Sequence, residues 1–246
     1  MKLNPHISVD CVVIGFDEDK LKVLLTERRF KTNGTLRKEE SDADLKLPGD
    51  FITDDEDLTR SAYRVLRDIT GLSDIYLQQF GVFGDPKRIS RERDIAWLRE
   101  TTGMNIERVI TITYYSLIKI NESRRELAQQ HDALWLDIDQ VKELAFDHKK
   151  ILDAGLETLR RKLQFEPVGI ELLPEKFTIR QLQLIYETIL GKKMDKRNFR
   201  KKVLKVNYLI KLNEKEKNVA HKPANLYRFD KRVYKSDFNE FEGFQF

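Results

Sequence analysis

Apolar runs in the first half of the chain follow the pattern of β-strands. These runs are rich in β-branched and other apolar side chains, and short turn segments separate them. They cover residues 9–16, 21–25, 109–118 and 134–136. The polar stretch 31–44, which contains an Asn-Gly pair, is predicted to be a long loop.

Helical spacing of apolar residues occurs twice in the same half. Positions 58, 62, 65, 66 and 69 predict a helix over residues 57–70, and Gly71 stands where a helix C-cap is expected. Residues 151–163 form a second amphipathic pattern. Segment 164–169 interrupts that pattern, so we predict one domain over residues 1–165 and another over residues 166–246.

A third helix is predicted at the start of the second domain. Thr178 is a good N-cap residue, and Gln181 three residues later completes a capping-box pattern. Apolar residues at 179, 182, 185, 186 and 189 follow, and Gly191 ends the pattern.

A basic helix and two short strands are predicted next. Asp195 can cap a helix over residues 196–205, with Phe199, Val203 and Leu204 directed inward. Strands over 208–212 and 226–229 follow, joined by a polar loop. Two helices followed by a β-hairpin form the layout of a winged helix-turn-helix.

Composition excludes several classes of protein. The 246 residues contain no run of eighteen apolar positions, so no membrane span is predicted, and the first residues lack the pattern of a secretion signal. The single cysteine, Cys11, excludes an internal disulfide and a cysteine-based zinc cluster. We therefore expect a cytoplasmic protein that needs no metal and no cofactor.

Charge divides the chain more sharply than the total of +4 indicates. Residues 1–165 carry 27 Lys and Arg against 30 Asp and Glu, a net charge of −3. Residues 176–235 carry 18 against 5, a net charge of +13. A surplus of this size on a small domain favours a polyanionic partner, because each neutralised phosphate releases counterions. The alternative is a solvated basic face without a partner.

Residues 46–72 (KLPGDFITDDEDLTRSAYRVLRDITGL) resemble the Nudix box, the signature of a family of diphosphate hydrolases. Glu56, Arg64, Leu66, Gly71 and Leu72 match its register. In that family three helical glutamates at i, i+3 and i+4 share one helix face and hold Mg²⁺ on a diphosphate.

The metal ligands of the box are replaced in this chain. The three glutamate positions are occupied by Val65, Asp68 and Ile69, and Asp50 replaces the glycine that opens the box. Two hard oxygen ligands have become aliphatic, so the segment is predicted to be a packed helix rather than a metal site. Glu56 and Arg64 are predicted to remain as a salt bridge that braces the loop.

The second half resembles the C-terminal domain of the Nudix-related transcriptional regulators. The resemblance rests on residues 172–204 and on HKPANLYRFD at 221–230, and FGDPKR at 83–88 and AFDHKKIL at 145–152 match the N-terminal domain of that family. It extends over residues 7–232. It implies an α+β chain in which a Nudix-like α/β/α sandwich with a mixed sheet precedes a winged helix-turn-helix.

This resemblance implies a repressor that binds operator DNA as a homodimer and responds to a small molecule. Arginine pairs with guanine and asparagine with adenine, so the basic helix supplies candidates for base and phosphate contacts. The helix N-terminus at Thr178 suits a phosphate, and the proposed wing adds basic residues. The DNA-binding candidates are Thr178, Lys196, Arg197, Asn198, Arg200, Lys201, Lys215, Lys217, His221 and Lys222.

Two branches of the family differ in effector, one responding to ADP-ribose and the other to L-arabinose. The insertion at 89–107 is long enough for an extra helix beside the pocket, and such a wall favours a small ligand. The chain as a whole resembles the arabinose-responsive branch more closely, which implies a neutral sugar as effector. Planar hydrogen-bonding groups and aromatic platforms suit such a ligand.

The family's cleft implies a set of pocket residues, with Trp97 and Trp135 as aromatic alternatives. The ligand-binding candidates are Arg28, Lys46, Asp50, Phe51, Asp85, Arg88 and Tyr114. Two other functions stay open: an ADP-ribose-sensing regulator of NAD metabolism, and a Nudix pyrophosphatase that also binds nucleic acid. The terminal segment 238–246 has four Phe in nine residues and is predicted to pack on the body or on a dimer partner.

Overall fold

A long central strand organises the first half of the chain. The computed structural model describes residues 2–28, 30–32, 35–37, 44–165, 168–217, 219–220, 222–230 and 232–233, so the terminal segment 238–246 lies outside the described residues. The strands are β1 (Leu3–Asp17), β2 (Lys20–Glu27), β3 (Phe30–Thr32), β4 (Thr35–Arg37), β5 (Leu45–Lys46), β6 (Gly49–Thr53), β7 (Gln78–Phe83), β8 (Ile110–Lys119) and β9 (Ala133–Asp137). The helices are α1 (Leu58–Thr70), α2 (Glu92–Thr102), α3 (Glu122–Gln130) and α4 (His148–Phe165).

Seven of these strands form one mixed sheet. Its order is β5-β2-β1-β8-β7, with β6 also paired to β1 and β9 to β2. Strand β1 runs parallel to β8 and antiparallel to β2 and β6. Strands β3 and β4 pair separately inside the stretch predicted to be a loop. The predicted strands are confirmed as β1, β2, β8 and β9; the additional elements are β3, β4, β5, β6, β7 and α3.

The two faces of β1 pack against different helices. Val9, Cys11 and Val13 are fully buried in a cluster with residues of α1, including Val65. On the other face, a Cβ at Gly155 of α4 would lie 3.2 Å from Val12 Cγ1. Because alternate residues of a strand face opposite sides, the sheet lies between α1 and α4.

The chain divides into two compact units, residues 1–156 and 157–246. This division falls inside α4, nine residues before the boundary predicted from the sequence. The second unit contains α5 (Ile179–Leu190), α6 (Lys196–Val203), β10 (Leu209–Lys215) and β11 (Asn225–Phe229). The two strands pair antiparallel as a hairpin. Among the described residues, no helix has the length and apolar character needed to cross a bilayer.

Caps predicted from the sequence define the helix ends. Gly71 and Gly191 end α1 and α5 in the left-handed region, at φ values of 74° and 66°. The Thr178–Gln181 capping box is present, and Asp195 caps α6. Helix α6 ends at Val203, and Leu204 is exposed, so the prediction that Leu204 is directed inward was wrong. The shorter helix turns this residue away from the core.

Ion pairs and hydrogen bonds of buried charged groups connect the sheet to the start of α4. Asp10 in β1 accepts a hydrogen bond from Thr111 Oγ1 at 2.7 Å. Arg88 approaches Asp10 at 3.7 Å and donates to Asp147 at 2.8 Å. His148 Nδ1 accepts from the Leu47 N–H at 3.0 Å, and its Nε2 lies 3.6 Å from Asp10.

Burial lowers the pKa of His148 to about 4, with the nearby cations Lys46 and Arg88 acting in the same direction. His148 is therefore neutral in the folded protein at pH 7. An unfolded chain takes up a proton at this residue near pH 6.5. The folding stability contributed by neutral His148 is thus present above pH 6.5 and is lost as the pH falls towards 4.

We predict that His148→Asn makes the stability of the first unit less dependent on pH. Asparagine keeps a hydrogen-bond acceptor for the Leu47 N–H but has no proton to gain. Between pH 7.5 and 5 the wild type should lose up to about 2 kcal/mol more unfolding free energy than the variant. Urea titrations at both pH values measure this difference, and His6→Asn, which changes an exposed histidine, is the control. Equal losses in wild type and His148→Asn would contradict the assignment.

Candidate functional site

The helix that carries the degenerate Nudix box is held by a retained ion pair. Arg64 Nε donates to Glu56 Oε1 at 2.7 Å, and its Nη2 donates to the Phe51 carbonyl at 3.1 Å. Ser61 Oγ donates to the other oxygen of Glu56 at 2.8 Å. Arg64, together with the hydroxyls of Ser61 and Thr53, lowers the pKa of the Glu56 carboxyl to about 2. The predicted brace is confirmed.

The positions that would carry metal ligands in the resembled family have other surroundings here. Val65 is fully buried in the core cluster, and Ile69 packs against that cluster. Asp68 is about half exposed and pairs with Arg67 at 3.0 Å. Within the described ranges, no three His, Cys, Asp or Glu side chains are grouped so as to hold a metal ion.

A pocket lies on the sheet face opposite α1. Its cavity is about 60 Å³, and Ser8 and Asp10 of β1 form part of its floor. Their neighbours Val9 and Cys11 face α1, which places the pocket on the other side of the sheet. The remaining lining residues are Lys46, Gly49, Asp50, Phe51, Arg88, Ile89, Trp97, Leu98, Val109, Phe146 and His148.

Lys46 is a buried cation beside this pocket. Its Nζ donates to the Gly49 carbonyl at 2.9 Å and lies 5.7 Å from the centre of the Trp97 ring. Burial lowers the pKa of Lys46, while Asp10 and Asp50 oppose that shift. Together with Arg88, which is paired with Asp147, it gives the pocket two nitrogen donors, which suit a polar ligand with acceptor oxygens.

The pocket brings together four of the predicted ligand-binding residues: Lys46, Asp50, Phe51 and Arg88. Arg28 is buried beside the pocket, with its guanidinium 5.3 Å from the centre of the Phe146 ring. Trp97 lines the pocket as well, whereas Trp135 packs against the α1 cluster.

The other two predicted residues lie away from the pocket. Tyr114 is buried in the α1 cluster, on the opposite sheet face, and burial raises the pKa of its hydroxyl. Asp85 is exposed and accepts a hydrogen bond from the Lys87 N–H at 2.8 Å. The structure thus places both outside the pocket: Tyr114 lies on the α1 face of β8, which the sequence did not indicate, and Asp85 lies in the loop that follows β7.

Sequence reasoning missed Asp10 and His148 as pocket residues. Asp10 had a recognisable signal, since it is a carboxylate inside the apolar run of β1. Such a residue needs partners when it is buried. His148 lies in the segment that carried the family resemblance, but its role depends on contacts with distant strands.

A basic helix is the principal feature of the second unit. Helix α6 is anchored by Phe199 and Val203, which are buried, and the Phe199 ring packs edge-on against Tyr186 at 5.6 Å. The remaining charged and polar side chains face solvent. Exposed candidates for DNA contacts are Lys196, Arg197, Asn198, Arg200, Lys201, Lys215, Lys217 and Lys222.

Two DNA-binding candidates differ from this group. Thr178 is only 3% exposed, and its hydroxyl accepts the Gln181 N–H within the capping box. The Thr178 side chain therefore caps the helix. A phosphate at this helix end would contact backbone N–H groups instead of the hydroxyl. His221 lies outside the described residues.

Comparisons with known proteins relate both units to transcriptional regulators. Residues 169–229 match the family model described as the NrtR DNA-binding winged helix domain. The chain is 28% identical over 240 residues to the ADPR responsive transcriptional repressor NtrR of Acinetobacter baylyi, an alignment that covers 96% of this chain and 86% of that protein.

Solved structures agree with this relation. Shewanella oneidensis NrtR complexed with a 27mer DNA is 26% identical, with a TM-score of 0.66 over 93% of this chain and 95% of that one. A MutT/nudix family protein from Enterococcus faecalis has a TM-score of 0.61 at 21% identity, covering 93% and 88% of the two chains, and shows the same fold. The predicted fold class, a mixed-sheet Nudix-like domain followed by a winged helix, is confirmed. Over almost its whole length the chain is thus similar to NrtR-type, Nudix-related transcriptional regulators.

Proposed function

We propose that this chain is a transcriptional repressor that binds operator DNA through its second unit and senses ADP-ribose through its Nudix-like unit. The exposed basic face of α6 is the observation that carries the DNA-binding part. Only Phe199 and Val203 of this eight-residue helix are buried. Such a helix can enter the major groove with its basic residues free to meet bases and phosphates.

Surrounding residues support a DNA-binding surface of larger extent. Lys215 and Lys217 extend the positive charge to the end of the hairpin, and both are exposed. Lys176 pairs with Glu214 at 2.8 Å, so it is already partly neutralised. Two copies related by a two-fold axis would present two α6 helices to a palindromic site, and we infer that the homodimer is the form that binds the operator.

The effector is inferred to be ADP-ribose, in place of the L-arabinose that the sequence analysis preferred. The relative that aligns with 96% of this chain is described as ADPR responsive, so the arabinose assignment is not supported. The insertion does form an extra helix, α2, whose Trp97 and Leu98 line the pocket. A wall of this kind does not exclude a larger ligand, because a surface helix can move.

Catalysis is not part of the proposed function. Val65 and Ile69 contribute apolar packing where the hydrolases supply carboxylates. Aliphatic side chains cannot coordinate Mg²⁺, which requires oxygen ligands. The Nudix-like unit is therefore proposed to bind its ligand without hydrolysing it.

The DNA-binding proposal predicts distinct results for two substitutions in α6. A residue that reads a base should cost about 1–3 kcal/mol per half-site when replaced and relax specificity at one position. A residue that binds phosphate should weaken all sequences alike and lower the salt slope by about one. Fluorescence anisotropy with operator and random DNA distinguishes these roles for Arg197→Ala and Asn198→Ala.

The matched control is Arg161→Ala, because Arg161 is an exposed arginine of the same unit outside the helix-turn-helix. If each subunit meets about four phosphates, the wild-type slope of log affinity against log salt should be near −7. Wild-type binding by both α6 variants would show that the basic face does not contact DNA.

Absence of hydrolysis is the second prediction. Incubation of the protein with ADP-ribose and Mg²⁺ should release no AMP above a buffer blank. Chromatographic separation of the nucleotides measures the product, and a Nudix ADP-ribose hydrolase serves as the positive control. Turnover of about 0.1 per second, far below a typical enzyme but far above background, would overturn the non-catalytic assignment.

Ligand-induced stabilisation tests the effector. At a concentration about a hundredfold above its dissociation constant, ADP-ribose should add about 2.7 kcal/mol to the stability of the first unit. For a unit of this size the melting temperature should rise by about 5–10 °C. AMP and L-arabinose, measured beside it, are the controls. A rise with L-arabinose and none with ADP-ribose would overturn the proposed effector.

A further inference from the structure

Helix α2 is held over the pocket by two ion pairs between its first turn and the body of the first unit. Arg28 Nη1 lies 2.5 Å from Asp94 Oδ1, and each side chain is only 1% exposed. Arg93 of α2 pairs with Asp44, which also lies 3.4 Å from Arg28. Among the described residues, two arginines and two carboxylates thus meet beneath the helix.

The apolar side of α2 closes the pocket. Leu98 is buried in a small cluster with Phe51 and Val109, separate from the α1 core. The Trp97 ring packs edge-on against Phe146 at 6.0 Å. The cavity beneath α2 has a volume of about 60 Å³ and is partly open to solvent. ADP-ribose is larger than this cavity, so its full burial here requires α2 to shift.

Polar atoms beneath α2 lack partners in this closed arrangement. Asp94 Oδ2 and Trp97 Nε1 are inaccessible to solvent and make no hydrogen bond within the part of the chain that the structure describes. An unsatisfied buried polar atom is costly, and a buried ion pair gains little stability after desolvation. The polar contacts of α2 therefore contribute little net free energy to its closed position.

We propose that Arg28 and Arg93 form a phosphate subsite that Asp94 and Asp44 occupy in the closed state, and that α2 is the lid of this subsite. This inference rests on the proposed function. The diphosphate of the effector replaces the Asp94 carboxylate at Arg28, which releases the first turn of α2. The lid then lifts, and Trp97 leaves its position against Phe146. Arg93, which the sequence analysis did not single out, joins the ligand-binding residues.

The substitution Asp94→Asn separates this exchange from a purely structural role. The substitution removes the carboxylate that competes with the diphosphate for Arg28. Among the described residues, Asp44 then remains as the carboxylate that pairs with both arginines. ADP-ribose should bind this variant about tenfold more tightly than the wild type, because the ligand restores the missing negative charge. If Asp94 only maintains the fold, the same variant should bind ADP-ribose equally or less tightly, which overturns the proposal.

The matched control is Glu92→Gln, which makes the same chemical change on the same helix. Glu92 is exposed, so its loss leaves the contacts beneath α2 intact. Isothermal titration calorimetry should give the wild-type affinity for this variant. A tenfold gain in Glu92→Gln as well would indicate a general charge effect and would overturn the exchange.

Movement of the lid has a readout that does not depend on the Asp94 variant folding. The chain has two tryptophans, so Trp135→Phe leaves Trp97 as the single indole emitter. Saturation with ADP-ribose should shift the emission of Trp97 to longer wavelength, because the indole becomes exposed to water. Unchanged emission at saturation would show that α2 does not open.

Binding of inorganic pyrophosphate distinguishes an error in the proposed lid movement from an error in the proposed effector. If ADP-ribose binds none of these proteins, the proposed effector is wrong, and pyrophosphate then tests the subsite alone. Pyrophosphate should bind Asp94→Asn about tenfold more tightly than the wild type and shift the Trp97 emission. Absence of both effects with both anions would overturn the phosphate subsite itself.

Discussion

The carboxylate of Asp10 is the constraint on which the first unit depends. A charge in the middle of a central strand is costly to bury unless partners surround it. Thr111, Arg88 and His148 come from a neighbouring strand, a loop and the start of α4, and all three converge on this group. The position of this carboxylate also requires a glycine at residue 49, because a Cβ at Gly49 would lie 1.8 Å from Asp10 Oδ1.

This requirement makes the two faces of the sheet unequal. The face towards α1 contains Val9, Cys11 and Val13, which pack as a continuous apolar core. On the other face Asp10, Lys46 and Arg88 lie beside apolar residues such as Leu98 and Val109, so each of the three needs a polar partner. The lining residues Arg88 and His148 approach the Asp10 carboxylate and supply such partners.

Elements with strong periodicity and caps could be predicted from the sequence, and weakly patterned ones could not. Helices α1 and α5 carry apolar stripes with glycine at their ends. Helix α3 has Ala128 as its single buried residue, and β7 lies at the sheet edge with no fully buried position, so neither produces a clear pattern.

The pocket was predicted in part for a related reason. Lys46, Asp50, Phe51 and Arg88 followed from family resemblance, which transfers positions but not the side of the sheet. Tyr114 lies on the α1 face because it pairs in register with Cys11 of β1, and that register is a long-range property. Asp10 and His148 meet only after β1 and α4 are brought together, so no local pattern could place them in one site.

In both units, the apolar residues that pack the core differ from the polar residues that are proposed to bind the ligand or DNA. In the first unit, Val65 and Ile69 stabilise the core at positions where the resembled hydrolases place metal ligands, and the polar pocket occupies the opposite sheet face. In the second, Phe199 and Val203 anchor α6 and leave its cations exposed. Because two apolar side chains anchor α6, its exposed charged residues can change with limited cost to the fold of the second unit. The buried charges around Asp10 in the first unit lack this freedom, because removing one partner leaves another buried group unpaired.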